Sequence, residues 1–340
     1  MKASTSGLLV VLAAAAAPLL LTACSGGPSN PSAVETSAAL GSAASVSSSV
    51  ATSSATASAA PTPPATASST VFAPPPASAI PDNEFGAMVR KGQAIFTHTR
   101  ANAGAYVGND LNCSNCHLDA GRRANSAPLW GAWVVYPKYR SKNHQVNSYA
   151  ERLQGCFTFS MNGKPPPADG EIIKALEAYS FWMAKGAPTG VTLQGAGFPK
   201  QGFTPSEPPS YARGQNVYEH NCALCHGDDG QGQSVAGTLV FPQLWGPESF
   251  NWGAGMGNLD NAAAFIKANM PFSRGGTLSD QDAWDVAYYM DAHERPQDPR
   301  YTGSIAETRK KFHDSKWSLY GIEVNGHVLG SSPAGKTGMH

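Results

Sequence analysis

Cys113-Ser-Asn-Cys116-His117 and, 109 residues further on, Cys222-Ala-Leu-Cys225-His226 are two copies of one pattern. Cys-x-x-Cys-His is the attachment signature of c-type haem. Two intervening residues make about one turn, so both sulfurs reach one porphyrin edge as thioethers. The next residue, His, then turns its imidazole to the iron. A thioredoxin-like redox pair or half of a zinc site would also use Cys-x-x-Cys. Two intact copies argue against both, and zinc would need further paired ligands that the chain lacks. The cofactor expectation is two covalently bound haem c groups, on Cys113, Cys116 and His117 and on Cys222, Cys225 and His226.

Around each motif the chain repeats itself weakly. Gly92-Gln-Ala-Ile-Phe96 precedes the first site and Gly214-Gln-Asn-Val-Tyr218 the second. Each reads as a helix with Gly and an aromatic four apart. In class I cytochromes c such a helix packs on a C-terminal helix, for which Glu171 to Ala184 and Ser279 to His293 are the candidates. Ser279-x-x-Asp282 is a capping pattern for the second. The fold expectation is therefore mainly α, with two class I cytochrome c domains in tandem over 82–200 and 201–295, and an extension over 296–340 wrapping back. Gly195 to Pro209 reads as the linker. Trp317 and Tyr320 read as packing anchors.

Each iron needs a sixth ligand or leaves the position open. Met270, in Asn269-Met270-Pro271-Phe272, lies 44 residues after His226 and just before the last helix. It is the expected second ligand there, ahead of Met256 and Met290, and methionine raises the potential. The first module has no Met-Pro loop. It holds the one unassigned thiol, Cys156, between the capping box Ser148-x-x-Glu151 and the stop Asn162-Gly163. On that helix Arg152, Cys156 and Ser160 are spaced four apart and should share a face. A buried structural thiol is the bland alternative. Met161, Met183, His98 and His144 are further ligand candidates.

Charge is balanced, 24 basic against 24 acidic residues, so no field argues for nucleic acid. Charged residues make up only 14% of the chain because the first quarter has almost none. Lys2, the apolar run Leu8 to Leu21 and Leu21-Thr22-Ala23-Cys24 read as an export signal over 1–23. A small-residue site ending in Cys resembles a lipobox, which implies a lipid on Cys24 and attachment to a membrane surface. In 25–80, Ser, Ala, Thr and Pro fill 44 of 56 positions. Such a stretch cannot bury enough apolar surface to order itself, so 24–81 reads as a disordered tether of roughly 40 Å root-mean-square span. The expected location is the periplasmic side, anchored by the lipid.

Taken together, Cys116-His-Leu-Asp-Ala-Gly-Arg122, Asn125-Ser-Ala-Pro-Leu-Trp130, Gly155-Cys-Phe-Thr-Phe-Ser-Met-Asn-Gly163, Arg295-Pro-Gln-Asp-Pro-Arg300 and Tyr320-Gly-Ile-Glu-Val-Asn-Gly326 resemble the dihaem thiosulfate dehydrogenases, some of which run as tetrathionate reductases. The resemblance spans nearly all of Asp82 to Gly330. It implies His117 and Cys156 as ligands of the first haem, and His226 and Met270 of the second. Some members carry Lys beside that Met, where this chain has Asn269. The implied reaction joins two thiosulfate dianions into tetrathionate with release of two electrons, which pass through the second haem to a periplasmic cytochrome or similar acceptor. Joining dianions requires fixed cations. The resemblance favours Arg152, Ser160 and a cation within 140–142 as substrate ligands, and Arg140 is preferred to Lys142 because its fork suits sulfonate oxygens. Arg122 and Arg123 are further basic residues near the motif. Two other readings compete. A dihaem electron carrier explains the haem motifs but not Cys156 and its cation. A sulfur-transferring cytochrome needs a carrier protein of which the chain shows nothing.

Overall fold

Asn83 starts the first long helix, α1 (Glu84–Thr97), by accepting a hydrogen bond from the Gly86 amide at 3.0 Å. Its buried face, Gly86, Val89, Gly92 and Phe96, recurs every three to four residues and lies against α3 (Glu171–Met183). Gly92 makes the crossing possible. A Cβ there would sit 2.0 Å from the Ala175 carbonyl oxygen and 2.7 Å from the Tyr179 Cβ. The second half repeats this contact. In α4 (Tyr211–Asn221) a Cβ on Gly214 would meet the Asp285 carbonyl at 2.0 Å and the Tyr289 Cβ at 2.8 Å, both in α6 (Asp280–Asp291). The aromatic partners repeat too: Phe96 lies 6.0 Å from Tyr179, and Tyr218 lies 5.3 Å from Tyr289. The helix pairs expected from the Gly-x-x-x-aromatic repeat are therefore present.

This computed structural model describes residues 72–200 and 202–334, all within one compact unit, 65–340. The export signal, Cys24 and most of the tether lie outside the described residues. Part of 24–81 does not: the Phe72 ring lies tilted against Trp130 at 5.4 Å, and Ala77–Ala79 form a short 3-10 turn. Arg122 donates to the Pro74 carbonyl at 3.1 Å and also to that of Pro75. The tether expectation thus fails at its last ten residues. One aromatic and the proline carbonyls supply contacts that a compositional argument averages away.

The structure is mainly helical, with α2 (Tyr149–Gly155), α5 (Leu259–Asn269) and α7 (Ile305–Phe312) joining those above. Three small antiparallel hairpins accompany these and several shorter helical turns: β1 (Lys138–Arg140) with β2 (Gln145–Asn147), β3 (Gln233–Val235) with β4 (Thr238–Phe241), and β5 (Glu323–Val324) with β6 (His327–Val328). Two cores form. One centres on Ile95, Trp130, Phe157, Ile173 and Tyr179, the other on Tyr218, Trp252, Ala263, Trp284 and Tyr320. They exchange side chains: Phe250 and Ala254 enter the first, and Leu118 enters the second. The C-terminal extension is pinned to the second. Trp317 lies 4.6 Å from Trp284, and Glu294 accepts from His327 at 2.7 Å and from the Gly330 amide at 2.9 Å. Among the described residues no helix is long and apolar enough to cross a membrane.

Candidate functional site

The capping box at Ser148 forms as expected, with the Ser148 hydroxyl accepting from the Glu151 amide at 3.2 Å and the Glu151 carboxylate accepting from the Ser148 amide at 2.6 Å. The helix it starts is not α-helical throughout. α2 stops at Gly155, and Cys156–Ser160 form a π turn in which the Met161 amide donates to the Cys156 carbonyl at 3.0 Å. The simple four-residue spacing drawn across Arg152, Cys156 and Ser160 therefore holds only for its first step. Arg152 Nη1 donates to the Cys156 sulfur at 2.7 Å. The half-buried guanidinium is held more firmly charged by that sulfur. π turns of this kind collect at functional sites.

Cys156 also faces the first haem motif, where it disfavours ionisation of both Cys113 and Cys116. Those two thiols are pushed up mainly by burial, to about 12 and about 11, and Cys222 likewise to about 12. They are poor thiolates, and none of the five described cysteines is in a disulfide. Each motif histidine is oriented by a backbone carbonyl. His117 Nδ1 donates to Ala127 at 2.6 Å and His226 Nδ1 to Pro242 at 2.9 Å. This fixes the tautomer that leaves Nε2 free for iron. Burial lowers both imidazoles, His117 to about 4, which keeps them neutral as a ligand must be.

A cleft of about 330 Å³ opens at the second haem motif. Cys222, Cys225 and His226 line it on one side, with Met270, Met256 and Met290 also on its wall. The wall is largely apolar, as a porphyrin requires. Asn115, Cys116 and Leu118 of the first motif line the same cleft, so the two attachment sites are neighbours. Asn269 is buried and donates to the Asn125 and Phe265 carbonyls at 3.1 and 3.0 Å. The residues present fit two haem c groups. Of the other ligand candidates, Met161 and Met183 are buried in the first core, His98 is exposed, and His144 is on the rim of the cavity described next.

Beside Arg152 opens a cavity of about 490 Å³. The first half of the chain contributes Arg140, Lys142, Arg152 and Ser160 to its wall. The second contributes the loop Trp252 to Gly255, and the extension contributes Arg300 and His313. Among the described residues Arg140, Lys142 and Arg152 form no ion pair with a carboxylate. Asp314 stands on the cavity wall, and Asp298 is spent on Arg300 and His313, at 2.6 and 2.8 Å. Burial alone would raise the Asp298 carboxyl. Hydrogen bonds from His313 and Arg300 instead hold it well below the usual range. Burial, with Arg300, Arg152 and Arg140 nearby, pushes Lys142 down to about 7. The Lys142 ammonium donates to the Gly253 carbonyl and lies 3.9 Å from the Phe159 ring centre.

Arg152, Ser160 and Arg140 thus come together, and Lys142 joins them. Arg122 and Arg123 do not. Arg122 holds the proline carbonyls noted above, and Arg123 covers the Phe272 ring at 5.5 Å. Sequence reasoning missed Arg300 and His313. The stretch Arg295 to Arg300 carried the signal, but nothing local says that it crosses to the first module.

Residues 91–189 match the family described as "SoxA/TsdA, cytochrome c domain", and residues 209–290 the family described as "Cytochrome C oxidase, cbb3-type, subunit III". The chain is 59% identical to a thiosulfate dehydrogenase of Thiomonas intermedia over 77% of this chain and 83% of that one. It is 56% identical to one of Stutzerimonas stutzeri over 75% and 84%. A solved structure titled thiosulfate dehydrogenase (TsdBA) from Marichromatium purpuratum superposes with a TM-score of 0.75 at 48% identity; the match covers 78% of this chain and 59% of that longer one. On the two haem sites, the cation-lined cavity beside Cys156 and these likenesses, the chain belongs to the thiosulfate dehydrogenase family.

Proposed function

We propose that the protein couples two thiosulfate ions into tetrathionate, 2 S₂O₃²⁻ → S₄O₆²⁻ + 2 e⁻, in the cavity beside Cys156. The observation that carries this reading is the Arg152 guanidinium, 2.7 Å from the Cys156 sulfur on the wall of a cavity rich in unpaired cations. Two dianions repel one another strongly once water is excluded, and fixed positive charge is what offsets that repulsion. Arg152 and Arg140 bind the sulfonate oxygens of the first thiosulfate, and the Ser160 hydroxyl donates to one of them. This aims the sulfane sulfur at Cys156. Trp252 and Phe159 exclude bulk water from the wall. His117 with Cys156 would hold the iron of the first haem, and His226 with Met270 that of the second. Each bound haem c supplies a one-electron acceptor, and two match the electrons released. A dihaem carrier would need no such cavity.

Export by the segment 1–23, a lipid on Cys24 and delivery of electrons to a small cytochrome outside the cytoplasm complete the reading. The leader and the two haem motifs support it, since haem c attachment belongs to exported proteins.

The test is spectral. Anaerobic thiosulfate added to the oxidised protein should raise the α-band of reduced haem c and yield one tetrathionate per two electrons. A protein that dithionite reduces fully but thiosulfate does not, and whose reduced form tetrathionate fails to reoxidise, would be a carrier only.

A further inference from the structure

We propose that Arg300 and Lys142 form a second anion subsite, which holds the second thiosulfate and then the far sulfonate of tetrathionate. This rests on the thiosulfate-coupling reading above. The cavity's cations fall into two sets. Arg152 and Arg140 lie on the Cys156 side: Arg152 donates to that sulfur, and the charges felt by Arg140 are those of Arg152, Tyr136 and Cys156. Lys142 and Arg300 flank Phe159, whose ring centre lies 3.9 Å from the Lys142 ammonium and 4.8 Å from the Arg300 guanidinium. Arg300 is the strongest charge acting on Lys142, ahead of Arg152 and Arg140.

Two half-buried cations crowded on one ring repel each other unless an anion joins them. The chain's own carboxylate does not fill that place. Asp298 binds Arg300 through Nε and Nη2, at 3.0 and 2.6 Å, and binds His313 at 2.8 Å. Arg300 Nη1 has no hydrogen-bond partner among the described residues, and Lys142 donates only to the Gly253 carbonyl. Asp298 and His313 are thus positioning residues that fix the fork of Arg300. The free donors suit three-fold sulfonate oxygens. Phe159, three residues after Cys156, gives the sulfur chain an apolar surface between the two ends. One subsite comes from the first module, and half of the other comes from the extension, so the two dianions are held apart from each other within one cavity.

Tetrathionate has a sulfonate at each end and is the direct probe. The oxidised dihaem protein is titrated with tetrathionate by calorimetry, together with the variants Arg300→Gln, Arg300→Lys and Lys142→Gln. Expected are affinities at least about tenfold weaker for the two Gln variants, as for a lost charged hydrogen bond, and substantial rescue in Arg300→Lys. The thiosulfate dependence of tetrathionate formation should shift to higher concentration. Arg300 also holds Asp298, so Lys142→Gln, which breaks no ion pair, carries the test if Arg300→Gln loses haem. Gln variants that bind tetrathionate within twofold of the parent overturn the subsite while the parent still makes tetrathionate. A parent that neither reduces its haems with thiosulfate nor forms tetrathionate overturns the underlying reading instead.

Discussion

At the residue scale, the proposed chemistry is concentrated in one turn of chain. Cys156 sits where an α-helix gives way to a π turn, with Arg152 one turn earlier aimed at its sulfur. Replacing Cys156 by Ala should lower turnover by at least about 100-fold, since it removes both the proposed iron ligand and the sulfur beside the substrate. Mass spectrometry should still find two haems attached, and the absorption spectrum of the first should change. Full activity in that variant would remove Cys156 from the mechanism. Arg152→Gln is expected to raise the half-saturating thiosulfate by roughly 10- to 100-fold, from the loss of one charged hydrogen bond. Steady-state assays with an artificial acceptor read this directly. An unchanged dependence would mean that Arg152 serves the sulfur alone.

At the element scale, both halves rest on the same close helix crossing, and each depends on a glycine. Ala is the better helix former by about 1 kcal/mol, so an exposed Gly→Ala change would stabilise. At Gly92 and Gly214 the added carbon would meet a carbonyl oxygen at 2.0 Å, and the helices must part. Overpacking of this kind costs about 1–3 kcal/mol. Gly92→Ala and Gly214→Ala should each lower the guanidinium unfolding midpoint, whereas Gly104→Ala, which meets nothing within 4 Å, should not. Equal midpoints for all three would show that the crossing has slack. The crossing was legible because its determinant is local: Gly and an aromatic four apart, twice. The capping boxes at Ser148 and Ser279 were legible for the same reason. The π turn was not, because its extra residue leaves no mark in side-chain periodicity.

At the scale of the whole molecule, the cavity's charge belongs to no single segment. Lys142 lies near neutrality, at about 7, because it is buried and because Arg300, Arg152 and Arg140 converge on it from three parts of the chain. Its positive form is the one that attracts a dianion, and that form is lost as pH rises through about 7. Thiosulfate should therefore bind several-fold more weakly near pH 8.5 than near pH 6, and a bound dianion should itself draw the ammonium back toward its charged form. Lys142→Arg should flatten the profile, because a guanidinium stays charged throughout. A half-saturation constant that does not move with pH in the parent would show that Lys142 is charged over the whole range or is not in the binding path.

Sequence alone pointed to the haem motifs and determined the paired helices and the proximity of Arg152 to Cys156, because each depends on local patterns of residues. It also pointed to a cation in 140–142, though not to Lys142 as the buried one, since burial is set by the Gly253 loop 111 residues away. Only the tertiary structure decided that Arg122 and Arg123 face elsewhere, that Phe72 and its prolines dock, and that Arg300 and His313 complete the cavity. Those outcomes depend on which distant surfaces meet. A run of charges carries the same local signal whether it ends in water, on a backbone carbonyl or beside another cation.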